Sequence, residues 1–311
     1  MFSFRFTGVE RYRYARYSNF NHLTFLSEFP HIIFYSDINI VYGYNRAIHR
    51  SKHLAILDSS ATIKAIFPSR SSGTLLVIDE GSKCFHKIKV FTDSKLENCI
   101  KEIDSRLKIP LTVAKTNNFK LYIIDSAAKI WLIEEKKSLS FQTSLVHEWS
   151  NTKLVPSFMT IGAGNEYLYI STTSGVWQFS LERLQEKLMI RAGSLTDDGP
   201  IDEVNIELPG SLISLNKDVL LIVDEGTQAL RVVNLQGGTV SSICTAHDSE
   251  KLVEGNISNC MLLKPKFIVH YSAPQNGSIY IGGGTIHRLT YFTIKNQGKS
   301  SVFKMIFINI V

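Results

Sequence analysis

The stretch of the chain best suited to chemistry is Arg11-Tyr12-Arg13-Tyr14-Ala15-Arg16-Tyr17. In extended backbone, successive side chains point to opposite faces, so Arg11 and Arg13 share one face and Tyr12 and Tyr14 the other. Guanidinium groups beside aromatic rings suit single-stranded nucleic acid, because cations track the phosphates and rings stack on the bases. Arg11, Arg13, Arg16, Tyr12 and Tyr14 are therefore the candidate contacts for single-stranded RNA. A plain half-buried edge strand shows the same alternation, and both readings stay open here.

Other chemistry-bearing residues are sparse. His49 and His53 stand four apart, but no Glu follows His49 and the region reads as strand and loop, so no zincin helix is present. Cys244 and His247 have a metal-like spacing, with Cys260 and His270 further on, yet no second tight pair completes a zinc site. Asp197-Asp198-Gly199 lacks the alternating oxygen ligands of a calcium loop and reads as a turn. Gly282-Gly283-Gly284 lacks the Gly-Lys-Ser/Thr of a phosphate loop and reads as a hairpin turn. These patterns predict no catalytic residue, no metal site and no cofactor.

Composition narrows the class. The chain has 311 residues, 44% apolar and 20% charged, which is a globular composition able to bury a large core. Its four cysteines, Cys84, Cys99, Cys244 and Cys260, form no disulfide framework. No stretch approaches the ~20 apolar residues of a spanning helix. Arg and Tyr interrupt the opening residues, so these do not read as a secretory signal; this favours the cytoplasm slightly and leaves the compartment open. Net charge is +6, and much of the excess lies in residues 1–53, where Arg5, Arg11, Arg13, Arg16, Arg46, Arg50 and Lys52 face Glu10, Glu28 and Asp37.

The elements that must position these residues repeat. An apolar run ending in Asp, Thr or Gly, then a polar turn and a second apolar run, begins at Ile33, Leu75, Leu121, Leu168, Leu220 and Ile279, at spacings of 42 to 59 residues. Spacings near 40–50 residues mark the blades of a propeller. Runs such as Leu220-Leu221-Ile222-Val223 are apolar at every position rather than at alternate ones, as strands buried on both faces are. The predicted fold is all-β, a propeller of six blades. Leu54-Ala55-Ile56-Leu57 is read as an outer strand of the first blade; as the start of its own blade it would make seven. The innermost strands are placed near Ile63–Ile66, Leu111–Ala114, Phe158–Ile161, Leu212–Ser214 and Phe267–His270.

Two segments carry helical spacing. Ser94-Lys95-Leu96-Glu97 matches a capping box, with Leu96, Ile100, Ile103 and Leu107 on one face. Leu181, Leu184 and Leu188 share a face over 180–190. Each predicts a short helical insertion between blades. Residues 245–263 predict a rim loop. Residues 1–29 are expected to be an extension or a ring-closing strand, and residues 30–311 a single propeller domain.

Over 191–243 the chain has Gly193, Asp198-Gly199, Asn205, Pro209-Gly210, the run Leu220 to Asp224, Leu230-Arg231, Gly237-Gly238 and Val240 in order. This resembles the NHL-repeat family of β-propellers, although Thr227-Gln228-Ala229 stands where that family usually has Asn-His-Arg. Resemblance is clear over this one repeat and weaker over 30–292. It implies a propeller that binds proteins or single-stranded RNA, with a few metal-dependent lyases and lactonases among its relatives. The resulting expectation is a non-enzymatic scaffold presenting rim loops to a protein partner. The alternatives are an RNA-binding propeller using the basic N-terminal surface, or a channel-centred metal-dependent lyase or lactonase.

Overall fold

The computed structural model describes residues 22–310, apart from 25, 27, 30, 46–49, 80–84, 91–95, 101–103, 117, 137–140, 150–154, 195–197, 244–261, 263, 273–276, 284–285 and 295–301. Among the described residues every regular element is a strand, and no helix is long and apolar enough to cross a membrane.

The strands form six sheets, each built on an antiparallel meander of four. The first comprises His22–Thr24, Ile32–Asp37, Ile40–Asn45 and Arg50–Ile56. The second comprises Ile63–Pro68, Thr74–Asp79, Phe85–Lys89 and Leu96–Ile100, and the third Pro110–Lys115, Lys120–Asp125, Lys129–Glu135 and Phe141–Glu148. The fourth is built on Pro156–Ile161, Tyr167–Thr172, Gly175–Ser180 and Gln185–Ala192. Pro209–Ser214, Val219–Asp224, Ala229–Asn234 and Thr239–Ile243 form the fifth, and Pro265–Ser272, Gly277–Gly283, Ile286–Ile294 and Val302–Ile310 the sixth. The repeated apolar runs are the second strands, and the Leu54 run lies in the outer strand of the first sheet.

The packing explains why those runs are apolar at every position. In the third sheet Leu121 and Ile123 pack with Leu76, Ile78 and Phe85 of the second, whereas Ile124 packs with Met159, Leu168 and Ile170 of the fourth. Leu220 and Ile222 likewise pack against the fourth sheet, and Leu221 and Val223 against the sixth. A strand sandwiched between two neighbours has no solvent face to make polar. The innermost strands touch in sequence from His22–Thr24 through Ile63–Pro68, Pro110–Lys115, Pro156–Ile161 and Pro209–Ser214 to Pro265–Ser272, and the last touches the first. The fold is a β-propeller, and its sheets radiate from a central channel.

The two helical segments are corrected by the structure. Leu96–Ile100 and Gln185–Ala192 are outer strands, paired with Phe85–Lys89 and Gly175–Ser180. Helical spacing of a few leucines is a weak preference, and a full ladder of hydrogen bonds on an otherwise open sheet edge outweighs it. Gly175 shows how closely this edge is packed. Its φ is +135°, and a Cβ there would lie 2.1 Å from the Ile190 carbonyl oxygen. Residues between the fourth and fifth sheets account for that longer repeat. Asn205–Ile206 adds a fifth strand to the fourth sheet, and Gly199–Pro200 adds one to the fifth.

Candidate functional site

The innermost strands all run in one direction round the channel, so they begin at one rim and end at the other. The rim where they begin is called the N-rim and the opposite one the C-rim. Four of these strands start with a buried proline, Pro110, Pro156, Pro209 and Pro265. Each proline lies opposite the last residue of the second strand, in the pairs Pro110–Asp125, Pro156–Thr172, Pro209–Asp224 and Pro265–Gly283. Proline fits the first position of a strand because no ladder donor is needed there.

The aspartates at this corner are fully buried and structural. Asp125 accepts hydrogen bonds from Lys108 N (2.9 Å), Ala127 N (2.9 Å), Lys129 N (3.0 Å) and Trp131 Nε1 (2.9 Å). Asp224 accepts from Glu207 N (3.3 Å), Leu208 N (3.1 Å) and Thr227 N (3.4 Å), and pairs with buried Arg231 (3.4 Å). Asp79 accepts from Thr62 N (2.9 Å) and faces His86 at 3.8 Å. In all three the segment leading into the sheet and a side chain of the third strand converge on one carboxylate. Burial lowers the His86 pKa against the opposing pull of Asp79. Asp198 is also structural. It accepts from Ser242 N (2.9 Å) and Ser242 Oγ (2.6 Å) and pairs with Arg231 (3.5 Å), which ties the entry of the fifth sheet to its outer strands.

The residues just before the prolines are exposed. Ile109 is 37% exposed, Val155 54% and Leu208 50%, and Lys264 is exposed before Pro265. Ile38, 54% exposed, joins them, because its carbonyl accepts from Ile63 N (2.8 Å) at the start of the second inner strand. The Ile109 and Leu208 carbonyls are held in the same way by Ser126 N (2.8 Å) and Glu225 N (2.9 Å). Backbone bonds thus fix Ile38, Ile109 and Leu208 while their side chains face outward. Four large aliphatic side chains lie round one mouth of the channel, interspersed with Lys264, Lys108 and Glu207.

The channel holds a cavity of 220 Å³ lined by five of the inner strands. Among the described residues its polar lining is Lys64, Lys115, Thr112, Ser157, Thr160 and Ser211, with no carboxylate. Phe158 and Phe267 meet edge to face in its wall at 5.6 Å. At the C-rim end the Lys115 amine donates to the Pro68 carbonyl (3.1 Å) and lies 4.4 Å from the Phe119 ring centre. Burial pulls its pKa down to about 8, against the charges of Glu135 and Glu28. Behind it, between the second and third sheets, Lys87 and Glu135 form a buried ion pair at 2.7 Å. Burial pushes the Glu135 carboxyl up, but Lys87, Arg70 N and Ser69 Oγ donate to it and together hold it below the ordinary range.

Arg11, Tyr12, Arg13, Tyr14 and Arg16 lie outside the described residues, as do Cys84, Cys244, His247 and Cys260. His53 is on the outer strand of the first sheet, against Tyr42, and His49 lies outside the described residues. His270 lies on the inner strand of the sixth sheet, and burial lowers its pKa. Among the described residues no three His, Cys, Asp or Glu side chains converge as metal ligands would. The rim aliphatics escaped the sequence reading. Their signal is the dipeptide series Ile109-Pro110, Val155-Pro156 and Leu208-Pro209, an aliphatic residue before a proline, which recurs ahead of three inner strands.

No family model and no curated protein matches this sequence. Solved structures do match in shape. A structural-genomics protein of unknown function from Bacteroides thetaiotaomicron VPI-5482 superposes with a TM-score of 0.71 at 14% identity, over 92% of this chain and 72% of that one. A streptogramin B lyase gives 0.58 at 13% identity, over 96% and 86% of the two chains. A nidogen/laminin complex gives 0.57 at 12% identity, over 83% and 88%. At such identities the likeness shows the fold alone, and the chain is similar to these proteins as a β-propeller.

Proposed function

We propose that this protein is a non-enzymatic propeller scaffold, related to the NHL-repeat group, that docks a protein or peptide on its N-rim. Residues 30–311 are its single domain, and residues 1–29 supply the strand that closes the ring. The observation that carries the reading is the ring of exposed aliphatic residues, Ile38, Ile109, Val155 and Leu208, at one mouth of the channel. Exposed apolar groups clustered on one face and bordered by charges are characteristic of interaction surfaces. Their side chains contribute little to the core, while the buried polar groups near them, such as Asp125 and Asp224, are occupied by structural hydrogen bonds. The nidogen/laminin neighbour was solved as a complex, which supports a binding role for this architecture.

Peptides selected from a random library on the intact protein test the reading. The expected result is apolar peptides that lose about tenfold or more in affinity for a Val155→Asp/Leu208→Asp variant with an unchanged melting curve. Selected peptides that bind this variant as tightly as the parent would overturn the N-rim as the docking surface.

A further inference from the structure

We propose a second, independent site: the C-rim end of the channel binds a small organic carboxylate through the Lys115 amine. The first argument is charge. Among the described residues the lining is Lys64, Lys115, four hydroxyl residues and apolar side chains, with no carboxylate, so the Lys115 ammonium sits in a partly enclosed, low-dielectric space. The lysines lie towards opposite ends, since Lys64 is second in its strand and Lys115 is last in the neighbouring one. A small ligand therefore engages only one of them directly.

Lys115 is the end that lacks a counter-charge in contact. Among the described residues its hydrogen bond goes to a neutral carbonyl, Pro68 O, and its other close partner is the Phe119 ring. The two carboxylates nearest in effect, Glu135 and Glu28, are already engaged. Glu135 takes Lys87 Nζ, Ser69 Oγ and Arg70 N, and Glu28 takes Ser72 Oγ and Gly73 N. A half-buried ammonium so placed gains from an anion that supplies both charge and acceptor atoms.

Size and surface specify the anion. At 220 Å³ the cavity is smaller than the roughly 300–1,000 Å³ of ordinary ligand pockets, so the occupant is small. Phe67 lines the cavity and the Phe119 ring faces the amine, so a short apolar body attached to the charge is favoured over an inorganic ion.

Titration calorimetry of the full chain at pH 8, in two buffers of different ionisation enthalpy, tests this with butyrate, butyramide and inorganic phosphate. Because the Lys115 amine titrates at about 8, it is half protonated there, and binding an anion should draw in up to about half a proton. Butyrate should bind with that uptake and butyramide should not bind. Lys115→Gln should weaken butyrate about tenfold or more and abolish the uptake. Lys115→Arg should keep binding but lose the uptake, and Lys64→Gln should weaken binding less and keep it. No butyrate binding, equal binding of butyramide, phosphate binding as tightly as butyrate, or unchanged binding and uptake in Lys115→Gln would each overturn the proposal.

Discussion

Asp125 and Ile109 meet at the same corner of the third sheet, yet their side chains do opposite things. The Asp125 carboxylate is fully buried and receives four donors from the leading segment, the turn and the third strand. Ile109 contributes its carbonyl to Ser126 N, and its side chain faces solvent. The fifth sheet repeats the arrangement, with Asp224 buried and Leu208 exposed. The ordinary expectation is reversed here. The repeated acidic residue, which in sequence merely ends an apolar run, is a buried part of the frame, and the repeated aliphatic residue is surface. A buried carboxylate must have its lone pairs filled, and the donors that fill it are the ones that join three segments. An aliphatic residue ahead of a proline is held extended by the proline and projects past the end of the sheet.

The largest expected effect tests the first half of this contrast. Asp125→Ala should cost about 4 kcal/mol in urea unfolding, because it orphans the buried Trp131 Nε1 and three backbone N–H groups together. A loss below about 1 kcal/mol would mean that the corner is not the clasp described here. The fourth sheet offers a smaller test, since Thr172 stands in the aspartate position. It donates to Gly175 O (3.0 Å) and accepts from Ser174 N (3.1 Å), and among the described residues its bonds stay within its own turn. Thr172→Val should therefore cost only about 1 kcal/mol by the same measurement, and a cost equal to that of Asp125→Ala would erase the distinction. The smallest effect belongs to the rim. Ile109→Ser and Leu208→Ser should change stability by no more than about 0.5 kcal/mol, and a larger loss would return these side chains to the core.

Much of the frame was legible because it rests on burial. Leu75, Leu121 and Leu220 open runs with no polar position before the closing Asp, and only a strand covered on both faces needs such a run. The run Leu220 to Asp224 is the second strand of the fifth sheet, and Asp198 takes its donors from Ser242 on that sheet's outer strand. The outer strands were harder. Leu96 and Leu188 carry helical spacing, and their state is decided by partners on the third strands, Ile88 and Trp177, far weaker in the local pattern than in the ladder. The candidate sites were harder still. The lining of the channel comes from residues scattered between Lys64 and Ile268, which no spacing rule connects.

By itself, the sequence determined the number of apolar runs, their order and the polar turns that end them, because local hydrophobicity and turn chemistry act within a few residues. Only the tertiary structure decided which aspartates are buried, that Ile109, Val155 and Leu208 share one rim, and that the Lys115 amine meets the Pro68 carbonyl and, among the described residues, no carboxylate. These are relations between blades, set when the ring closes and each strand acquires neighbours from distant parts of the chain.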